Sequence, residues 1–150
     1  MMIGTRRMLG GALLATTLAF AGCGMMSPGT STASTASNWM TAAQEVPPNG
    51  STGTGTVVTN LDKSTRTLKW TVTYSGLSGP VLAGHFHGPA AAGANAGVVV
   101  PFTGGTASPI TGSATLTEAQ MADLIAGKWY ANLHTAAHPG GEIRGQVSGL

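Results

Sequence analysis

Charge is scarce in this sequence. Only 8% of its 150 residues are Asp, Glu, Lys or Arg, which excludes an acidic tail or a charge-rich disordered chain. Two of the seven basic residues, Arg6 and Arg7, lie in an N-terminal leader, and the other five are balanced by five acids. No basic patch remains to hold a nucleic acid, so none is expected as a partner. A single cysteine, Cys23, excludes an internal disulfide. No internal repeat is visible. No Gly-x-Ser-x-Gly elbow is present to expose a nucleophilic serine. The carboxylates Glu45, Asp62, Glu118, Asp123 and Glu142 are scattered, so no pair is placed for acid–base work. No glycine loop precedes a helix and a lysine in the manner of a phosphate cradle. What is abundant is glycine, 23 residues, together with Thr and Ser, which favours turns and strands over long helices. The length suits one domain.

The N-terminus reads as an address. Arg6 and Arg7 precede an apolar run from Met8 to Phe20, and small residues Ala21 and Gly22 precede Cys23. The run is too short to span a bilayer comfortably, so residues 1–22 are expected to be a signal peptide. Phe20-Ala21-Gly22-Cys23 resembles a bacterial lipobox, in which the cysteine thiol takes a diacylglycerol and becomes the new N-terminus. Thr5 to Leu9 also resembles a twin-arginine export motif. Residues 24–37 have almost no large apolar side chains after Met26 and cannot offset their ordering entropy by burial. Residues 23–37 are therefore expected to be a lipidated cysteine and a flexible tether to a domain at 38–150. The expected location is the cell envelope, with a lipid anchor at Cys23 in its membrane. Gly24, in place of the Asp associated with inner-membrane retention, favours the outer membrane where two are present.

The domain is dominated by strand patterns. Leu68, Trp70, Val72 and Tyr74 alternate with Thr67, Lys69, Thr71 and Thr73, a period of two with one buried face. Thr54 to Asn60 precedes it across the polar turn 62–65, which predicts a hairpin. Further short strands are expected at 81–87, 98–102, 111–116, 128–134 and 142–147, with 39–44 as the first. Gly or Pro clusters separate nearly all of them. One helix interrupts: Thr117 caps it, Gln120 completes a capping box, Met121, Leu124 and Ile125 share a face, and Gly127 stops it. The pattern predicts an all-β fold, an antiparallel Greek-key-like β-sandwich of about eight short strands with one short helix. Trp39, Trp70 and Trp129 are expected in its core.

Chemistry concentrates on histidine. His85-Phe86-His87 places two imidazoles on one face of a strand, about 7 Å apart along it, where both can turn onto one metal ion. Phe86 then faces the core. His134 ends another strand and completes a three-histidine set suited to copper or zinc. His138 is left outside the set, because Pro139 disfavours helical geometry at the preceding residue. Glu142 and Arg144 share a strand face and are expected to brace the cluster, Glu142 by accepting a proton from a ligating imidazole.

Thr41-Ala-Ala-Gln-Glu-Val-Pro-Pro, Gly84-His-Phe-His-Gly-Pro-Ala and Trp129-Tyr-Ala-Asn-Leu-His-Thr-Ala-Ala-His-Pro-Gly-Gly-Glu-Ile-Arg-Gly-Gln-Val together resemble the CHRD domain, named for chordin and common in exported bacterial proteins. The likeness covers about residues 39 to 148. It implies a β-sandwich outside the cytoplasm and little about activity. His85, His87, His134, Glu142 and Arg144 map onto its motif residues, and His138 departs from it. A looser similarity is to copper–zinc superoxide dismutase, another sandwich with a His-x-His strand. Three readings are therefore open. The first is a non-catalytic, lipid-anchored binding module with a copper or zinc site. The second is a copper redox enzyme, and the third a structural or adhesive module whose histidines tie loops together.

Overall fold

In the computed structural model, residues 32–150 are described; the signal peptide, Cys23 and most of the tether expected from the sequence lie outside them. Eight strands form one hydrogen-bonded antiparallel sheet. They are β1 (Ala33–Thr41), β2 (Thr54–Asp62), β3 (Thr67–Ser75), β4 (Val81–His87), β5 (Val98–Pro101), β6 (Ile110–Thr115), β7 (Trp129–Thr135) and β8 (Ile143–Val147). Their order is β5-β4-β7-β8-β1-β2-β3-β6. Helix α1 (Glu118–Ile125) connects β6 to β7. The expected capping box is present, with Thr117 Oγ1 accepting from the Gln120 N–H and Gln120 Oε1 accepting from the Thr117 N–H. Gly127 takes the positive φ that ends a helix.

The sheet is sandwich-like because it folds over at one joint. β1 and β8 meet at a single paired position, Thr41 opposite Arg144. Gly145 makes that approach possible: a Cβ there would sit 2.5 Å from the Trp39 carbonyl oxygen. On one side of the joint lie β1, β2, β3 and β6, and on the other β8, β7, β4 and β5. β8 returns beside β1 after the β1-β2-β3 meander, a Greek-key-like path.

The two halves bury their inner faces against each other. Leu68, Trp70 and Val72 of β3 meet Phe86 of β4 and Trp129, Ala131 and Leu133 of β7 in one core. Trp70 and Phe86 pack edge to face at 5.4 Å, and Phe102 and Trp129 also flank Phe86 at 5.0 and 6.0 Å. Gly112 is required beneath the Trp70 indole, where any side chain would collide with the ring.

Three expectations change. The tether was placed up to residue 37, yet β1 already pairs with β2 from Ala33 opposite Asp62. Ser and Thr suffice there because the backbone ladder holds the strand, and Ala36 and Met40 supply its inward face. The strand ends at Thr41, so residues 42–44, expected as strand, form a 3-10 turn. Trp39 was expected in the core and is 70% exposed, because the period of two puts it opposite the fully buried Met40.

Phe86 is completely buried among aromatic rings, so Phe86→Ala is expected to lower unfolding free energy by about 3–5 kcal/mol in urea titrations. Phe86→Leu, which keeps much of the volume, is expected to cost less.

Candidate metal centre

If Phe86 faces inward, its neighbours face outward. His85 and His87 stand on the outer face of β4 and share it with Tyr130, Asn132 and His134 of β7 and Arg144 and Gln146 of β8. The register sets these residues in two cross-strand rows, His85–Asn132–Arg144 and His87–Tyr130–Gln146. An outer face is usually wet, but this one is covered. The loop between β4 and β5 crosses it, and so does the segment after β1 that carries Glu45. Asn95 Nδ2 donates to the Val46 carbonyl and clasps the two together.

The three predicted histidines converge. One ligating atom from each of His85, His87 and His134 lies within 4.8 Å of the others. His85 Nδ1 and His134 Nε2 are 3.2 Å apart. Two imidazole nitrogens bound tetrahedrally to zinc would be about 3.3 Å apart, so that edge is already of ligand–ligand length.

Backbone carbonyls orient two of the rings. His134 Nδ1 is 2.9 Å from the Pro139 oxygen, and His87 Nδ1 is 3.0 Å from the Ala96 oxygen. Protons on Nδ1 would leave both Nε2 lone pairs for a ligand, the usual arrangement around a metal-bound imidazole. His87 Nε2 is buried and has no hydrogen-bond partner. His134 Nε2 faces the Asn132 Oδ1 at 2.9 Å, although a neutral imidazole has one N–H and Pro139 already calls for it. A cation between these atoms would replace acceptor–acceptor repulsion with attraction. Burial lowers the pKa of His85, and the charges of His134 and His87 lower it further. Burial also lowers that of His134, against the Pro139 hydrogen bond and with His87. Both shifts favour the neutral, ligating form. The donor set therefore suits a transition metal ion.

Of the two expected bracing residues, Glu142 acts elsewhere and Arg144 reaches the cluster through another ring. Glu142 hydrogen-bonds to none of the histidines. Its Oε1 accepts from Ser51 Oγ at 2.6 Å and the Ser78 N–H at 2.7 Å, and its Oε2 from Ser78 Oγ at 2.6 Å and Thr135 Oγ1 at 2.5 Å. It pins three segments together. The reason is register: Glu142 precedes β8 and donates its backbone N–H to Leu133, while its side chain turns from the histidine face toward the Ser51 and Ser78 loops. Arg144 reaches the cluster indirectly. Its guanidinium carbon lies 3.4 Å above the Tyr130 ring centroid, and Tyr130 stacks on His87 at 4.9 Å with 2° between planes. His138 stays in the loop, its N–H near Thr135.

Asn132, Tyr130 and Glu45 belong to this site without having been singled out. Asn132 and Tyr130 were legible on the His134 face of β7. Glu45 had no such signal, since its place depends on how the segment after β1 folds back. Gly141, at φ +132°, leaves room for the Glu45 carboxylate where a side chain would stand. Burial drives the Glu45 pKa up to about 7, against the opposing pull of Arg144, the Val46 N–H and Asn132.

Residues 37–147 match the family model of the CHRD domain. The chain belongs to that family. Neither the curated proteins nor the solved structures contain a match to it.

The two buried carboxylates make opposite predictions for stability against pH. Burial opposes ionisation of Glu142, but the Ser51, Ser78 and Thr135 hydrogen bonds outweigh it and lower the pKa to about 2. Its stabilisation is complete above its ordinary value of 4.5 and lost as pH falls from there toward 2. Glu45 is raised, so its ionisation opposes folding increasingly as pH climbs from 4.5 through 7. Urea midpoints across pH are expected to show Glu142→Gln destabilised at neutrality with a flatter acid limb. Glu45→Gln is expected to gain stability relative to the parent above pH 7.

Proposed function

We propose that this CHRD-family protein is an envelope-anchored binding module, not an enzyme, that holds one copper or zinc ion through His85, His87 and His134. The observation that carries the reading is the buried His87 Nε2 without a hydrogen-bond partner, beside two imidazoles whose nitrogens are 3.2 Å apart. Imidazole nitrogen is the donor that copper and zinc share. Three protein ligands leave a further coordination position for water or a partner's side chain. Pro139 and Ala96 would fix the rings from behind through their carbonyls, and Tyr130 would hold His87 flat. The lipobox-like Phe20-Ala21-Gly22-Cys23 supports anchoring by a diacylglycerol on Cys23, with the folded domain held close to the membrane surface.

Calorimetric titration of the purified protein is expected to show one equivalent of copper(II) or zinc(II) bound. His85→Ala and His134→Ala are each expected to weaken binding by at least about tenfold. Chelation is expected to lower the melting temperature of the loaded protein. Affinity unchanged by both substitutions would remove the assignment and leave the histidines as loop ties. For the anchor, Cys23→Ser is expected to move the protein from the membrane to the soluble envelope fraction. Mass spectrometry of the parent should find a lipid-modified N-terminal cysteine.

A further inference from the structure

Beside Arg144 lies a cleft of about 370 Å³. Ala43, Val46, Pro48 and Ala92 form its apolar walls, and Arg144 and Glu45 contribute charge-bearing groups. Its size and composition are those of a small-molecule site, apolar with a few convergent polar groups.

Arg144 is the informative residue. It is 1% exposed. Its Nη1 donates to Asn95 Oδ1 at 3.1 Å and its Nη2 to the Ala94 carbonyl at 2.7 Å, and Tyr130 lies beneath it. All three partners are neutral. Among the described residues the only ion pair is Lys128 with Asp123, at the surface. Glu45 lines the same cleft but does not come within ion-pair distance of the guanidinium. Glu45 is the anion that pulls on it, but burial raises that carboxyl's pKa to about 7, so near neutral pH it offsets the buried guanidinium only in part. The guanidinium carries five N–H donors in a fork matched to a carboxylate, and the two hydrogen bonds above use one on each terminal nitrogen.

We propose that this cleft binds a small organic carboxylate, its carboxylate paired with Arg144 and its apolar body lying between Ala43, Val46, Pro48 and Ala92. The anion completes the charge balance that the fold leaves open, and the walls reward an aliphatic or aromatic tail. Glu45 sets the selectivity, because a second negative charge beside the ligand penalises dianions. The cleft adjoins the histidine cluster: Tyr130 lies against both Arg144 and His87, and Asn132 links Glu45 to His134.

Calorimetry on the metal-free full chain with hexanoate and its neutral analogue hexanamide tests the proposal. Hexanoate is expected to bind at least about tenfold more tightly than hexanamide. Ala92→Trp, which fills the cleft from an exposed loop position, is expected to weaken hexanoate by a similar factor. Glu45→Gln is expected to strengthen it. Circular dichroism checks that each variant keeps its strands. Equal binding of hexanoate and hexanamide, no binding of hexanoate, preference for hexylamine, or indifference to Ala92→Trp would overturn the proposal.

Discussion

A strand alternates its side chains between two faces, and in β4 that alternation joins the interior to the site. Phe86 is held among Trp70, Phe102 and Trp129, so it cannot rotate outward without opening the core. His85 and His87 are thereby committed to the opposite face. β7 repeats the logic, with Ala131 and Leu133 inside and Tyr130, Asn132 and His134 outside. The geometry of the histidine cluster is thus set by hydrophobic packing on the other side of the sheet. Rigidity of this kind suits a ligand set, because the rings reach their positions before any ion arrives.

The outer face of these strands is unusual in being polar and buried at once. His87, Asn132 and Arg144 are all nearly inaccessible, beneath loops built largely from Ala, Gly and Pro. Those small residues bring backbone carbonyls close: Ala96 to His87, Ala94 to Arg144, Ala90 to Gln146 and Pro139 to His134. Neutral oxygens satisfy hydrogen bonds but do not balance a full charge. The face therefore retains a buried His87 Nε2 with no hydrogen-bond partner and a buried guanidinium that shares no ion pair. Tyr130 contacts both residues, stacked on His87 and lying under Arg144. The contrast with Glu142 is instructive. Its charge is also buried, but hydroxyls and an N–H donate to both of its oxygens, so it serves the fold and leaves nothing for a ligand.

The sequence by itself determined the local elements. Period-two alternation marked the strands, and β4 was found with both ends correct because Gly79-Pro80 and Gly88-Pro89 bracket it. The Thr117 and Gln120 pair marked the helix start through chemistry confined to one turn. The same alternation put His85 and His87 on one face and His134 with Asn132 on another. It failed at β1, where Ser- and Thr-rich residues form a strand on the strength of ladder hydrogen bonds to β2, which leave no hydrophobic signature. Only the tertiary structure decided which faces meet. Bringing His134 to His85 required the register of β7 against β4, separated by α1 in the chain. Sending Glu142 to the serines and Arg144 to Tyr130 required the crossing of β8 over β1 at Gly145. Such pairings depend on contacts between residues far apart in the chain, and local periodicity records which way a side chain points but not what it will find there.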